Sequence, residues 1–395
     1  MDIGLYHLIS DVHNEGYIDN TLDSFLAEIE KGLGKKLIKL NIGQKYEDVF
    51  PIIFIKSGGV EGKLKEIYER FDEPYIILAS GIHNSLAASI EILSFLRQKG
   101  KKAEIVHGSS DYVVKRISEL EAVFETKKRL QSARVGVVGK PSDWLIASNM
   151  DYDIAKKVLG IKIMDIDLKE LVSEIDKEHD YRSIREKELY DTGYDKGSID
   201  GALKIYRGLR YIVDKYKLNA VTVRCFDLLK IYNSSGCIAA SLLNDEGIIA
   251  GCEGDVPSVI SMLITNYLTG RPVFMANPSR INITSNMVTF AHCTLPLSMA
   301  ENYRLDTHFE SGIGVGIKGN IKTGRCTVFK LSGDCKSFFV SGADLVENLN
   351  DKNLCRTQIN VKLDEDVSYF FNNPLGNHHI ICTGDYSNLI REFFK

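Results

Sequence analysis

An acidic residue closes an apolar run at Glu253, where the sequence reads EGIIAGCEGDVPSVISMLITNYLTG. The apolar residues before Glu253 predict a buried strand, and the spacing after Pro257 predicts a helix with one buried face that ends at Gly270. We therefore expect Glu253 at the C-terminal end of a strand, where open α/β sheets bind their ligands. The alternative is a solvated loop acid, and the apolar strand before it argues against full solvation.

Asp255 follows two residues later, directly before the predicted helix. An aspartate in this position, with Pro257 in the first turn, is typical of an N-cap. A structural role as a cap is therefore the first interpretation of Asp255. A catalytic role as a second acid beside Glu253 is the alternative.

Histidines form a second group of candidate functional residues. His292 lies in the apolar run MVTFAHCTLP, and His378 and His379 lie in NPLGNHHIICTGD. Neighbours on a strand point to opposite faces, so at most one of the adjacent pair can reach a given metal ion. A carboxylate with separated histidines suits a divalent transition metal such as manganese, although a single histidine is more often a core or surface residue.

Trp144 is the only tryptophan, and it follows the predicted strand ARVGVVGK through the polar turn KPSD. It could pack against a substrate or anchor its loop.

The pattern Gly314-x-Gly316-x-x-Gly319 matches the sequence of a dinucleotide-binding motif. Strand-like residues continue on both sides of it, whereas the motif requires a following helix, so we do not expect nucleotide binding there.

The predicted elements that must position these residues fall into three segments. Strands alternate with helices over residues 1–131 and again over 132–270, which predicts two doubly wound parallel sheets in an α/β protein. Residues 271–395 contain strand-like runs without intervening helices, separated by turn residues, and predict a β-rich, barrel-like domain. The sequence thus predicts an N-terminal α/β domain, a central α/β domain and a C-terminal β-rich domain.

Composition excludes several classes of protein. The 395 residues include 49 basic and 53 acidic ones, for a net charge of −4, which disfavours a nucleic-acid binder. We find no apolar run long enough to span a membrane, and acidic residues near the N-terminus are unlike a signal peptide, so we expect a cytoplasmic protein. The eight cysteines contain no C-x-x-C pair, which predicts free thiols rather than disulfides or a zinc finger.

Two of these segments resemble L-fucose isomerase and its relatives. The segment CEGDVPSVISMLITNYLTGRPVFMAN is similar to the part of those enzymes in which a metal-binding glutamate opens a helix and a following strand delivers a second acidic ligand. The segment NHHIICTGD resembles the late Asn-His segment that supplies a metal-binding histidine. The order of two α/β domains and a β-rich domain also matches that of the compact members of this superfamily.

The resemblance implies a ligand set. Glu253 corresponds to the metal-binding glutamate and His378 to the late histidine, while His292 lies near an additional metal-binding histidine of the related L-arabinose isomerases. The second acidic ligand falls on Asn277, which departs from the family because an amide cannot accept a proton as a carboxylate does.

The family also implies partners for this site. In such enzymes the N-terminal domain of a neighbouring subunit completes the substrate pocket. His83 and Asn84, after the run PYIILASG, are the expected contribution here, with His13 as a weaker candidate. The resemblance therefore implies a homo-oligomer, either a trimer or a hexamer.

The implied reaction is aldose–ketose isomerisation of a free monosaccharide through a cis-enediol, with a divalent metal, Mn²⁺ by preference, polarising the carbonyl. Glu253 is the expected base, and Asp255 could assist it. Arg224 could bind sugar hydroxyls or a charged group, or pair with Asp227; Trp144 and His379 are further substrate-binding candidates. The alternative function is a sugar-binding or differently acting carbohydrate-converting relative, since Asn277 replaces an acidic ligand.

Overall fold

A computed structural model describes residues 1–11, 15–44 and 46–395. The chain divides into two compact units, Met1–Glu125 and Thr126–Lys395. His13 lies outside the described residues, so the structure gives no placement for it. The division into three domains stays a prediction.

The first unit is built on a parallel five-stranded sheet in the order β2-β1-β3-β4-β5. Its strands are β1 (Asp2–Leu8), β2 (Leu37–Leu40), β3 (Val49–Ile55), β4 (Tyr75–Ala79) and β5 (Ala103–Val106). The helices that follow them are α1 (Glu15–Leu33), α2 (Glu61–Ile67), α3 (Ser85–Gln98) and α4 (Ser110–Ser132). Apolar residues of α1 and α4 form one core cluster with the sheet, and those of α2 and α3 form a second, so helices cover both faces.

The second unit begins with a parallel four-stranded sheet in the order β7-β6-β8-β9. The strands are β6 (Arg134–Val138), β7 (Lys162–Ile166), β8 (Ala220–Val223) and β9 (Ile249–Cys252). The accompanying helices are α5 (Tyr152–Leu159), α6 (Leu168–Ile175), α7 (Glu186–Asp191), α8 (Lys196–Tyr216), α9 (Cys225–Tyr232), α10 (Cys237–Asp245) and α11 (Val256–Thr269).

A closed antiparallel barrel of six strands, in the order β10-β11-β16-β15-β14-β17, completes the second unit, beside a two-stranded sheet of β12 and β13. The strands are β10 (Phe274–Asn282), β11 (Met287–His292), β12 (Ala300–Asp306), β13 (Gly316–Ile321), β14 (Gly324–Leu331), β15 (Phe338–Asn348), β16 (Thr357–Leu363) and β17 (His379–Thr383). Two short helices, α12 (Tyr369–Asn372) and α13 (Ser387–Phe393), lie near the end of the chain.

The predicted fold class, with two parallel sheets and a barrel, is confirmed. One buried cluster extends from α8 and α10 into the barrel, so the smaller sheet and the barrel share a core. The run NAVTVRCFDLL, predicted as one strand, is only a strand to Val223 and continues as helix α9, because an apolar run of this length suits either element. A strand, not a helix, follows Gly316, as expected for a chance match to the dinucleotide motif.

All eight cysteines are free thiols, as the sequence predicted, and seven of them are buried. Among the helices of the described ranges, we find none with the length and apolar character that crossing a membrane requires.

Candidate metal centre and active site

The turn between β9 and α11 presents Glu253 to the interior. Glu253 and Gly254 both have left-handed backbones, with φ of 64° and 73°. Such a conformation costs a non-glycine residue about 1 kcal/mol or more. At Gly254 an added Cβ would lie 2.4 Å from the carbonyl oxygen of Lys140, so only glycine fits. The amide of Ser142 donates to the Glu253 carbonyl at 2.8 Å, which fixes the turn against the loop after β6.

Three side chains converge beside this turn. Glu253, His292 and His378 each offer one ligand atom, and these atoms all lie within 4.8 Å of one another. They come from the end of β9, the end of β11 and the residue before β17. Strand β10 lies between β11 and β17 in the barrel, with Asn277 opposite Ala291 and Ala276 opposite His379, and this register brings residues distant in sequence together.

Two buried polar atoms at this site have no hydrogen-bond partner among the described residues. They are Oδ1 of Asn277 and Nε2 of His378, the latter 3.5 Å from Oε1 of Glu253. Unpaired buried polar atoms are rare because desolvation without a partner is unfavourable. An amide oxygen, a carboxylate and two imidazoles form a donor set that suits a divalent transition metal, so the residues present fit such an ion.

Asp255 holds His378 from behind. Its Oδ2 accepts from Nδ1 of His378 at 2.9 Å, and its Oδ1 accepts from the amide of Ser258 at 2.9 Å, so it also caps α11. With its Nδ1 proton directed at Asp255, His378 presents Nε2 to the site, which is the usual arrangement behind a metal-binding histidine. These contacts favour a positioning role for Asp255; its direct catalytic role stays a prediction.

Lys330 balances the charge of Asp255. Both side chains are fully buried, with Nζ of Lys330 3.5 Å from Oδ1 of Asp255 and 2.6 Å from Oγ of Ser258. A buried carboxylate requires such compensation. Sequence reasoning missed Lys330, because nothing local to the run TVFKLSG distinguishes an inward-facing lysine from an exposed one.

The pKa values of the site follow from burial and these contacts. Burial alone would raise the pKa of Glu253, but His378 and the indole of Trp144 lower it to about 2. Burial would lower the pKa of His378, but Asp255 and Glu253 raise it to about 9. Burial lowers the pKa of His292 to about 3, so its imidazole is neutral. Nδ1 of His292 pairs with the Thr294 hydroxyl at 2.8 Å, which leaves Nε2 available to the site.

Three of the candidate ligands, Glu253, Asn277 and His292, line a cavity of about 380 Å³. Trp144 lines it with 51% of its surface exposed, and its Nε1 donates to Oε2 of Glu253 at 2.6 Å. Phe226 packs edge-on against Trp144 and His308, at 4.9 and 5.3 Å between ring centroids. The sequence singled out Trp144 but assigned no role to Phe226 or His308, because loops distant in sequence bring them to the cavity.

Other candidate residues lie apart from this cluster. Arg224 forms an ion pair with Asp227, which was the predicted alternative to substrate binding, and a second ion pair with Asp143 at 2.6 Å. Its role in substrate binding stays a prediction. Nε2 of His379 lies 3.0 Å from the Tyr369 hydroxyl within an aromatic cluster, which is the environment of a core histidine.

His83 and Asn84 belong to the first unit. Nε2 of His83 lies 2.7 Å from the hydroxyl of Thr21, and Asn84 is exposed at the start of α3. Their contribution to a substrate pocket stays a prediction.

Fold and site together define a class: an α/β protein with a closed barrel and a candidate divalent-metal centre of mixed nitrogen and oxygen ligands. No family model matches the chain. It is similar to the sulfoquinovose isomerases of Alkalicoccus urumqiensis and of a Clostridium species, with 23% and 28% identity over 261 and 255 residues. These matches cover 63% and 61% of this chain, and 59% and 55% of the relatives, so the chain matches less than two thirds of their length.

Proposed function

We propose that this protein is a metal-dependent aldose–ketose isomerase that acts on a free monosaccharide through a cis-enediol. The observation that carries the proposal is the convergence of Glu253, His292 and His378 beside a cavity that is lined by Glu253, His292 and Asn277. The amide oxygen of Asn277 is buried there without a hydrogen-bond partner among the described residues. The names of the relatives support a sugar isomerase. The same names make sulfoquinovose, a glucose derivative with a sulfonate at C6, the first substrate to test.

Glu253 is the proposed base that moves a proton between C1 and C2 of the open-chain sugar. Its low pKa keeps the carboxylate ionised at neutral pH. The indole of Trp144 donates to one carboxylate oxygen, and Nε2 of His378 lies 3.5 Å from the other. A divalent cation, which we propose to be Mn²⁺ held by Glu253, His292, His378 and Asn277, would polarise the sugar carbonyl when bound. Because the pKa of Glu253 is low, its carboxylate is a weak base and would depend on that polarisation to remove a proton from the adjacent carbon.

The cavity walls explain how a sugar could be oriented. Trp144 and Phe226 offer apolar faces to a sugar ring, and Asn277 and Asn377 offer amide groups to hydroxyls. Among the described residues that line the cavity, none is a lysine or an arginine, so an anionic substituent would need a cation from elsewhere. We also propose, from the family resemblance, a homo-oligomer, a trimer or hexamer, in which His83 and Asn84 belong to the part of another copy that completes the pocket.

Ketose formation from a sugar panel, followed by NMR, tests the activity. The purified protein, stripped with a chelator and reloaded with Mn²⁺, is offered sulfoquinovose, glucose, glucose 6-phosphate and a set of pentoses. We expect turnover of one sugar that depends on added metal and is lost in Glu253→Gln. Turnover that survives both chelation and Glu253→Gln would refute the proposed mechanism.

A sugar-binding protein without isomerase activity is the second candidate, and Asn277 favours it because it replaces an acidic ligand of the related enzymes. Calorimetry with the same sugars separates the two candidates. Binding of a sugar without ketose formation, in the presence of Mn²⁺, would support the binding protein.

A further inference from the structure

Five of the eight cysteines line the candidate active-site cavity, and the proposed isomerisation uses none of them. They are Cys225, Cys237, Cys252, Cys293 and Cys355, all free thiols. A buried thiol is an ordinary small apolar filler, as Cys326 is inside the barrel. A group of thiols on the wall of an accessible cavity is different, because solutes that enter the cavity can react with it.

Within this group, Cys293 and Cys355 form a contacting pair. The thiol of Cys355 lies beside the sulfur of Cys293, and the backbone N–H groups of Phe309 and Arg356 also lie next to that sulfur. Strand pairing brings the two segments side by side. Cys293 directly follows β11, Cys355 lies two residues before β16, and these strands pair with His292 opposite Thr357, so that Cys293 lies one residue out of register with Cys355.

The geometry of this pair is compatible with a covalent link. Residues opposite one another in antiparallel strands have Cα atoms about 4.5–5.5 Å apart. A disulfide spans Cα atoms about 4.4–6.8 Å apart, and because Cys355 is offset by one residue from the position opposite Cys293, a link requires the loop that carries Cys355 to shift. Cys355 is partly exposed while Cys293 is buried, so an oxidant in the cavity can reach the pair.

We propose that Cys293 and Cys355 are an oxidative modification site that forms a reversible disulfide when peroxide enters the cavity. The peroxide O–O bond breaks as one sulfur takes an oxygen, giving a sulfenic acid and water. The second thiol then attacks that sulfur, forming the S–S bond and releasing a second water. Two thiols lose two hydrogens in total and one peroxide is reduced to two waters; a dithiol reagent reverses the reaction by exchange.

The disulfide also affects the candidate metal centre, because Cys293 directly follows His292. A link between the end of β11 and the loop before β16 displaces the backbone that aims His292 at Glu253 and His378. We therefore expect oxidation to weaken Mn²⁺ binding. This consequence rests on the proposed function, whereas disulfide formation does not.

Peptide mass spectrometry without reductant tests the disulfide. The full chain is treated with a few equivalents of hydrogen peroxide, digested and compared with a sample treated with dithiothreitol. We expect one cross-linked species that joins the peptides of Cys293 and Cys355, with the mass of two hydrogens missing and complete reversal by the reductant. A link between Cys225 and Cys252, which also contact each other, or no link at all, would overturn the proposal.

Matched variants sharpen this test. Cys355→Ala should abolish the cross-link and leave a sulfenic acid on Cys293 that dimedone traps, and Cys293→Ser should abolish the cross-link as an independent check if the first variant does not fold. Cys382→Ala, which removes a barrel thiol outside the cavity, should cross-link as the unmodified protein does.

Calorimetry with Mn²⁺ on the cross-linked protein measures the effect of the disulfide on metal affinity. An unchanged affinity would overturn the proposed effect on the metal centre but not the proposed disulfide.

Discussion

Two strand ends of this protein are each followed by two consecutive residues with left-handed backbones, but the chemistry of the two turns differs. After β4, His83 and Asn84 have φ values of 52° and 57° before α3 begins, and after β9, Glu253 and Gly254 have φ values of 64° and 73° before α11 begins. Both turns end a parallel strand and direct side chains beyond the sheet edge. Parallel α/β sheets use this edge for ligands, so both turns are suited to a site.

The difference lies in what surrounds the turns. Asn84 makes no side-chain cap and is exposed, whereas Asp255 caps α11 and is completely buried with His378 and Lys330. Glu253 is only 8% exposed, and its pKa is strongly shifted. The comparison shows that the turn positions a side chain, but burial among charged neighbours gives it altered acidity and a metal-binding geometry.

The largest effect is expected from removing the charge at the buried turn. Glu253→Gln should lower ketose formation by about 10²-fold or more, because the proposed proton carrier is lost. Turnover with saturating Mn²⁺ measures this. Glu310→Gln, which changes an exposed acid that also lines the cavity, is the control and should change turnover far less. Similar losses in both variants would count against a special role for Glu253.

Asp255→Asn should weaken Mn²⁺ binding by about 10–100-fold, because His378 loses the carboxylate that orients it. It should also reduce the free energy of unfolding by about 3–5 kcal/mol, since Lys330 is left buried without its counter-charge. Calorimetry and denaturant unfolding measure the two effects. In Asp255→Asn combined with Lys330→Met, stability should return and metal affinity should not; recovery of both would show that Asp255 acts only on stability.

Metal affinity should depend on pH through His378. Of the three candidate ligands, Glu253 is ionised above about pH 2 and His292 is neutral above about pH 3, while the pKa of His378 is raised to about 9. A cation must displace the His378 proton below pH 9, so affinity should rise about tenfold per pH unit from pH 6 and level off near pH 9. Proton release measured on Mn²⁺ addition at pH 7 checks this; no release would contradict the raised pKa.

Asn277→Asp should tighten Mn²⁺ binding several-fold, because an anionic oxygen replaces a neutral one at a site for a hard cation. Titration with Mn²⁺ followed by electron paramagnetic resonance measures this. Asn377→Asp, at another amide of the same cavity, is the matched control. Equal effects of both variants would indicate long-range electrostatics rather than coordination by Asn277.

The smallest effect on the metal centre is expected at the other strand end. His83→Ala should leave Mn²⁺ affinity unchanged and raise the KM for the sugar a few-fold, if another copy contributes this turn to the pocket. Light scattering run beside the kinetics is the check on assembly. A monomer with an unaltered KM would remove the first unit from the proposed pocket.

Much of the fold could be predicted from local sequence patterns. Alternation of strand and helix signals predicted both parallel sheets, and short strands with frequent turns predicted the barrel. The helix after Glu253 was predicted with its cap at Asp255 and its end at Gly270, since capping chemistry is local. Helix α9 was partly assigned as strand, because its apolar residues Phe226, Leu228 and Leu229 suit either element.

The candidate site also has one part that local sequence patterns predict and another that they do not. The sequence by itself determined that Glu253 ends a buried strand and that His378 and His379 cannot share one metal ion, because strand geometry fixes side-chain direction. Only the tertiary structure decided that His292 and His378 meet Glu253, that Asp255 lies behind His378, and that Lys330 neutralises it. These contacts join residues 39 to 125 positions apart through the barrel register, and no local pattern encodes which distant strands pair.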